Sequence, residues 1–269
     1  MTRLAGRYGP WALVTGSSMG IGASFATRLA AEGFNLALVD READLMRAQA
    51  RELRTRVEVR EVVVDLSKEA DVERALDDVS DIEVGLLVAN AAHAATAPWL
   101  DIPLEDKLKQ IRVNCIALTQ MVDRISRAMA ARRRGGIIVM SSMAGTIGSP
   151  RVSTYAATKA FDLILAESLW SELRRDGVDV LAVLPGMTKT PGFEGSLKPG
   201  VKLPRSVRVM SPEQVVDEAL ASLGRHPRII VGGRNRFADG LLHRLLPRKT
   251  AIGIMASSTR GLYPDRPID

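Results

Sequence analysis

The apolar residues of this chain fall into short runs, each ended by small or polar residues and followed by a stretch with helical spacing. Trp11-Ala12-Leu13-Val14 breaks into Thr15-Gly16, Leu36-Ala37-Leu38-Val39 ends at Asp40, and Val84-Gly85-Leu86-Leu87-Val88 ends at Asn90-Ala91-Ala92. Ile137-Ile138-Val139-Met140 stops before Ser142, and the run from Val178 to Leu184 breaks at Pro185-Gly186. Apolar runs this short, bounded by turn residues, predict strands buried on both faces. Arg56–Val64 and Arg228–Val231 add two more strands. Between the strands, helices are predicted over 23–32, 69–79, 104–132, 152–174 and 212–223. Strands and helices that alternate throughout predict an α/β protein. The expected architecture is a single doubly wound parallel sheet of about seven strands, with helices on both faces, forming one domain over 1–269. Neither a linker nor an internal repeat interrupts the pattern.

Two regions depart from it. The stretch from Met187 to Ser211 carries Pro191, Gly192, Gly195, Pro199, Gly200 and Pro204, too many breakers for a regular element. Placed between a strand and a further αβ unit, it reads as a lid over a site. Its apolar residues Met187, Phe193, Leu197 and Leu203 suit a hydrophobic substrate, or they pin the loop down. In the basic extension over 234–269, Phe237, Leu241, Leu242, Leu245 and Leu246 form a helical stripe among Arg234, Arg236, Arg244, Arg248 and Lys249. The expectation is a helix packed on the domain or on another subunit; the alternative is a helix resting on an anionic membrane surface.

Composition narrows the function. Aromatics are only 4% of the chain, which argues against a base-stacking nucleic-acid binder. The net charge of +6 is spread out. Arg132-Arg133-Arg134 before Gly135-Gly136 reads as a helix C-terminus with a glycine stop, not a nucleic-acid footprint. The single cysteine, Cys115, excludes an intrachain disulfide and a Cys-rich zinc site. His93, His226 and His243 lack metal-ligand spacing, so no metal is expected. With no secretory signal and no run of membrane-spanning length, the expected location is cytoplasmic.

The candidate chemistry lies at the strand ends. Thr15-Gly16-Ser17-Ser18-Met19-Gly20-Ile21-Gly22 follows the first strand and opens a helix. Gly16 permits the tight turn, Gly20 the approach of a phosphate, and Gly22 close packing of helix on strand. The helix amides then face the anion. Asp40, at the end of the second strand, suits the hydroxyls of an adenosine ribose and repels a 2′-phosphate, or it caps the helix that follows. Arg41 beside it suits a 2′-phosphate instead, while Ser17, Ser18 and Met19 offer no cation for one. Tyr155 and Lys159 are four apart, one helical turn, and so share a face. A cation beside a phenol favours the phenolate, which fits the Tyr to exchange a proton with a carbinol or carbonyl oxygen. Ser142, closing its strand, is placed to hold the same oxygen. Asn114 in mid-helix competes with backbone bonding and calls for a functional reason.

Together, Thr15-Gly16-x-x-x-Gly20-x-Gly22, Asp65, Asn90-Ala91-Ala92, Asn114, Ser142, Tyr155-x-x-x-Lys159 and Pro185-Gly186 with Thr190 resemble the short-chain dehydrogenase/reductase family over nearly the whole chain. Ala92 stands where that family more often has Gly. The resemblance implies a Rossmann fold and an NAD(P)-dependent oxidoreductase interconverting a secondary alcohol and a ketone. It implies Tyr155 as general acid/base, Lys159 as its tuner and ribose ligand, Ser142 orienting the substrate oxygen, and Asn114 holding a relay water. Around the cofactor it implies Gly16, Ser18, Gly20, Ile21 and Gly22, then Asp40, Arg41, Asp65 and Leu66. Asn90, Pro185, Gly186, Thr188 and Thr190 complete that set. NAD is favoured through Asp40, with NADP as the other option. Homodimers or homotetramers paired through the Asn114 and Tyr155 helices are expected. The region around Trp11 and the basic C-terminal region are similar to acyl-chain ketoreductases and hydroxysteroid dehydrogenases. Two other readings stand beside this one: a nucleotide-binding regulator without turnover, and an acyl-chain ketoreductase at a membrane surface.

Overall fold

Chain alternation and strand burial settle the architecture. In the computed structural model, which describes residues 3–198, 200–201, 209–244 and 246–263, the predicted runs become β1 (Trp11–Thr15), β2 (Asn35–Asp40), β3 (Val59–Val63), β4 (Val84–Ala89), β5 (Gly135–Met140), β6 (Val178–Leu184) and β7 (Arg228–Ile230). They form one parallel sheet in the order β3-β2-β1-β4-β5-β6-β7. Every residue of β4 and β5 is buried, as a strand covered on both faces requires.

Helices cover both faces. On one, α2 (Gly20–Ala31), α3 (Ala43–Leu53) and α9 (Pro212–Ser222) set Phe25, Leu29, Met46 and Val215 against Val14, Leu38 and Val88. On the other, α4 (Glu69–Asp77), α6 (Leu118–Ala131) and α7 (Ser153–Leu173) set Val72, Met121 and Leu163 against Leu13, Leu87 and Ile137. Each large side chain so buried contributes about 1.5–3 kcal/mol. The strand order reverses between β1 and β4, which opens a crevice at their carboxyl ends.

The structure corrects several local expectations. The tract over 104–132 is not one regular helix: α5 (Leu104–Ile111) runs through a π-helical turn, Arg112–Ala117, into α6. Gly135 and Gly136 do not stop the helix. It ends at Ala131, Arg133 makes the left-handed turn at φ 53°, and both glycines belong to β5. A Cβ at Gly135 would run into Met129, and one at Gly136 would lie 3.1 Å from Tyr8 and Leu86. Close packing, not chain reversal, explains the pair.

The breaker-rich 187–211 stretch contains a short helix, α8 (Pro191–Ser196), started by the Thr190 hydroxyl accepting from the Phe193 N–H at 3.1 Å. Thr188 pairs with Met210 across the base of the stretch. Leu203 lies outside the described residues. The C-terminal region forms two helices, α10 (Gly233–Arg244) and α11 (Arg248–Leu262), with Pro247 opening the second. Leu245 also lies outside the described residues; Phe237 is 75% exposed and Leu241 44%, so both keep apolar surface in solvent. A helix before β1, α1 (Arg3–Tyr8), carries no periodic signal long enough to predict. No helix among the described residues is long and apolar enough to cross a membrane.

Candidate active site

The ends of β1 and β4 are tied together first. The Thr15 hydroxyl accepts from the Asn90 and Ala91 N–H groups, both at 3.0 Å, and Asn90 Nδ2 donates to the carbonyls of Thr15 and Gly16, also at 3.0 Å. Against this clamp the chain turns at Gly16 (φ 63°) into α2. A Cβ on Gly22 would collide with the Gly16 carbonyl, so helix and turn meet only because that residue is Gly. Met19, the residue that caps α2, supplies no side-chain bond, and the first turn holds no acid. Its amides are left to an incoming anion.

Asp40 does more at the end of β2 than either reading of it assumed. Its Oδ2 accepts from the Ser18 N–H (2.9 Å) and hydroxyl (2.8 Å), and its Oδ1 accepts from the Glu42 N–H (3.1 Å). It therefore braces the glycine turn against β2. It is not the cap of α3, a position held by Glu42. Arg41, exposed, pairs with Glu42 at 3.1 Å. Beyond β3, Asp65 accepts from the Ser67 N–H (3.0 Å) and hydroxyl (2.8 Å). Burial works to raise the Asp65 pKa, yet these bonds, with Lys109 and Arg41 nearby, hold it below the usual carboxylate range.

At the other end of the crevice stands α7. Tyr155 and Lys159 both face the crevice, and the Lys159 Nζ lies 5.8 Å from the centre of the Tyr155 ring. The ammonium donates to the Met140 carbonyl at 2.7 Å and to Asp162 Oδ2 at 2.9 Å. Asn114 occupies the π-helical turn. Its Nδ2 donates to the His93 carbonyl (3.0 Å) and to Thr158 Oγ1 (2.9 Å), and its Oδ1 accepts from the His93 N–H (2.8 Å). The widened turn carries that amide to the segment after β4, which satisfies its polar groups without competition with the helix backbone. The Ser142 hydroxyl accepts from the Ala144 N–H at 3.1 Å and so caps a short 3-10 turn, Met143–Thr146.

A cleft of about 330 Å³ joins the two ends. Among the expected residues, Gly16, Ser18, Gly20, Ile21, Asp40, Arg41, Asp65, Leu66, Asn90, Tyr155, Lys159, Pro185 and Thr190 line it. Gly22, Asn114, Ser142, Gly186 and Thr188 are not on its wall. Gly22 sits behind the turn and Thr188 is buried, its hydroxyl on the Gly186 carbonyl at 3.1 Å.

Four residues not expected here matter. His93 lines the cleft, and burial, with Lys109 and Arg41 adding, lowers its pKa, which leaves the imidazole neutral at neutral pH. The buried Ser141 donates to the Lys159 carbonyl at 2.7 Å and pins α7 to β5. Asp162 is buried beside Lys159, and its spacing of three residues from that lysine on one helix was the visible signal for it. Tyr263, just past α11, is pushed up to about 12 by burial and by Tyr155. No sequence pattern points from the C-terminus to Tyr155.

The residues fit a dinucleotide. A cradle that a Cβ would fill, unclaimed helix amides, an acid at the end of β2 and a Tyr–Lys pair share one crevice. No group of three or more His, Cys, Asp or Glu among the described residues is placed to hold a metal.

Comparison with known proteins agrees. Residues 10–198 match the family model described as short chain dehydrogenase. The chain is 31% identical over 233 residues to a 7beta-hydroxysteroid dehydrogenase of Collinsella aerofaciens, covering 86% of this chain and 89% of that one. It is 34% identical over 230 residues to a very-long-chain 3-oxoacyl-CoA reductase of Podospora anserina, covering 82% of this chain but 65% of that longer protein. A solved 7beta-hydroxysteroid dehydrogenase superposes with a TM-score of 0.88 at 30% identity, over 95% of this chain and 99% of that one. A short-chain dehydrogenase from Sphingobium yanoikuyae in complex with NADPH gives 0.74 at 31% identity, over 82% and 87%. The chain belongs to the short-chain dehydrogenase/reductase family, oxidoreductases that act on CH–OH groups with NAD(P).

Proposed function

We propose that the chain interconverts a hydrophobic secondary alcohol and its ketone, with Tyr155 as general acid/base and NAD(H) as the preferred cofactor. The observation that carries this is the single cleft running from the glycine turn to Tyr155 and Lys159. When bound there, the nicotinamide gives or takes the hydride. The protein's own part is position and a proton. In reduction the Tyr155 hydroxyl donates its proton to the carbonyl oxygen; in oxidation the phenolate takes the carbinol proton. Ser142, whose oxygen already accepts from Ala144, keeps its own proton for the substrate oxygen. Lys159 favours the phenolate and serves the nicotinamide ribose. The Oδ1 of Asn114 accepts one bond among the described residues and has a second lone pair for a relay water.

Asp40 supports NAD over NADP, because its carboxylate already faces the glycine turn and a 2′-phosphate would meet it as a like charge. The hydrophobic substrate rests on the steroid and acyl-chain chemistry of the relatives and on the apolar residues Phe193 and Leu197 of the segment that follows Thr190 and Gly192 on the cleft wall. Fluorescence titration with NADH and NADPH, side by side, tests the cofactor reading: tighter NADPH binding removes it. For assembly we infer a homodimer or homotetramer. Leu104, Leu108, Ile111 and Ile116 on the α5 and π segment, with Phe161 and Ile164 on α7, leave large apolar side chains in solvent on the helices the family uses for pairing. Light scattering that finds a monomer removes this reading.

A further inference from the structure

Lys159 is 3% exposed and Asp162 2%, so an ammonium and a carboxylate are shut together under the catalytic helix. They meet at 2.9 Å, and the only other bond of the ammonium among the described residues runs to the Met140 carbonyl. Asp162 Oδ1 has no hydrogen-bond partner among the described residues. A carboxylate held so incompletely is a poor structural device, because a buried ion pair rarely repays its desolvation. Its position relative to Lys159 suggests another purpose. A lysine this deep, without an anion, gives up its proton, and a neutral amine no longer favours a phenolate at Tyr155.

We propose that Asp162 is a positioning residue of the reaction: its carboxylate keeps Lys159 charged beneath Tyr155 and fixes the direction in which the ammonium points. This rests on the reading of Tyr155 as the general acid/base. The groups that face the pair agree with it. Burial works against the charge on Lys159, and Asp162, followed by Tyr155, outweighs it, so the ammonium titrates above its ordinary value. Cys115, from the π-helical turn, faces both charges with its thiol pushed up to about 11 by burial and by Asp162, and so stays neutral. Tyr263 faces Tyr155 from the C-terminal side and is itself pushed up to about 12. Burial raises the Asp162 pKa against the pull of Lys159, and among the described residues Asp162 is the carboxylate that pairs with Lys159.

The chain's three tyrosines make the test direct. Tyr8 is pushed up, chiefly by burial with Asp179 adding, and Tyr263 by burial and Tyr155, so both ionise late. The phenolate absorbance of the cofactor-free protein is followed from about pH 7 to about pH 11, where model phenols and amines titrate. The step missing in Tyr155→Phe belongs to Tyr155. In Asp162→Asn that step is expected to move up by roughly one pH unit, and the pH–rate curve for alcohol oxidation should move up with it. Asp162→Glu should return both toward the parent, and in a Lys159→Met background Asp162→Asn should produce no upward move. A Tyr155 step that stays in place or falls in Asp162→Asn overturns the proposal. If Asp162→Asn does not fold, the Glu variant and the Lys159→Met pair carry the decision: a Glu variant that folds with a displaced step, or an upward move without Lys159, overturns it equally. Full turnover in Tyr155→Phe would instead remove the underlying reading, and is seen in a different variant.

Discussion

The two ends of the cleft are built by different means. At the nucleotide end, the residues sit on the last positions of β1, β2 and β4 or within two or three residues of them, and they hold one another by bonds of 2.8–3.0 Å among Thr15, Gly16, Ser18, Asp40 and Asn90. Each is placed by a buried strand it terminates. On the Tyr155 side, hydrogen bonds instead join segments far apart in the chain. The Thr96 hydroxyl donates to the Ser196 carbonyl (3.3 Å), the Ala97 N–H to the Arg151 carbonyl (3.0 Å), the Lys198 N–H to the Leu262 carbonyl (2.9 Å), and Arg151 Nη1 to the Tyr263 carbonyl (3.4 Å). Ile252 of α11 lies within 4 Å of where a Cβ on Gly148 would stand. One end is a rigid part of the sheet, while the other is an assembly of loops that a few substitutions can reshape. A family that keeps one cofactor chemistry and changes its substrates needs that division.

The sharpest way to break the comparison is to change one end and look for the effect at the other. Tyr155→Phe, between the two, should show the largest loss: kcat down about 10²–10⁴-fold, the usual worth of a positioned acid/base. NADH affinity by fluorescence titration should be unchanged. A variant that keeps turnover would mean the proton moves by another route. Next in size is Gly22→Ala. The new Cβ must displace the Gly16 carbonyl and with it the Asn90 bond, at a cost of about 1–3 kcal/mol in stability, read as a lower denaturant midpoint. NADH binding should weaken at least about tenfold, the equivalent of 1.4 kcal/mol, with KM for substrate little changed once nucleotide saturates. Undiminished NADH binding would place the cofactor elsewhere. Smaller again is Asp40→Ser. Removing the carboxylate takes away both a ribose acceptor and a repelling charge, so the ratio of NADPH to NADH affinity should rise about tenfold. A ratio that does not move would show that Arg41, not Asp40, sets the choice.

The same division explains what could be read from the sequence. Strand ends are legible because burial forces an apolar run and the run stops where the site begins; Gly16, Asp40 and Asn90 were read that way, and Tyr155 from its one-turn spacing to Lys159. The π-helical turn was not, because 104–132 contains no glycine or proline to mark a change of helix and apolar residues recur on both sides of it. Asn114, inside that turn, was read as a residue that calls for a functional reason and not as a break in the helix. Gly135 and Gly136 misled, since a glycine pair after three arginines has the composition of a helix stop. Their actual constraint, the side chains of Met129, Tyr8 and Leu86, comes from distant parts of the chain. The place of Tyr263 was out of reach for the same reason: it depends on how α11 lies against the segments that carry Gly148 and Lys198, and no local pattern encodes that.

The smallest expected effect is the most informative about the substrate end. Tyr263 ends α11 with its ring close enough to Tyr155 to feel that residue's charge, and its own carbonyl is held by Arg151. In Tyr263→Ala the backbone bond survives and only the ring is lost. If the C-terminus forms part of the substrate wall, KM for a hydrophobic alcohol should rise about threefold to tenfold, the range expected for removing apolar contact from a pocket. kcat should hold nearly steady, because the contact is made equally in ground and transition states. NADH affinity should not move, the opposite of Gly22→Ala. A bulky and a small alcohol, assayed together, decide the matter: a loss confined to the bulky one locates the ring against the substrate body. An equal loss on both would mean that Tyr263 acts through Tyr155 instead, and the two ends of the cleft would be less separate than their construction suggests.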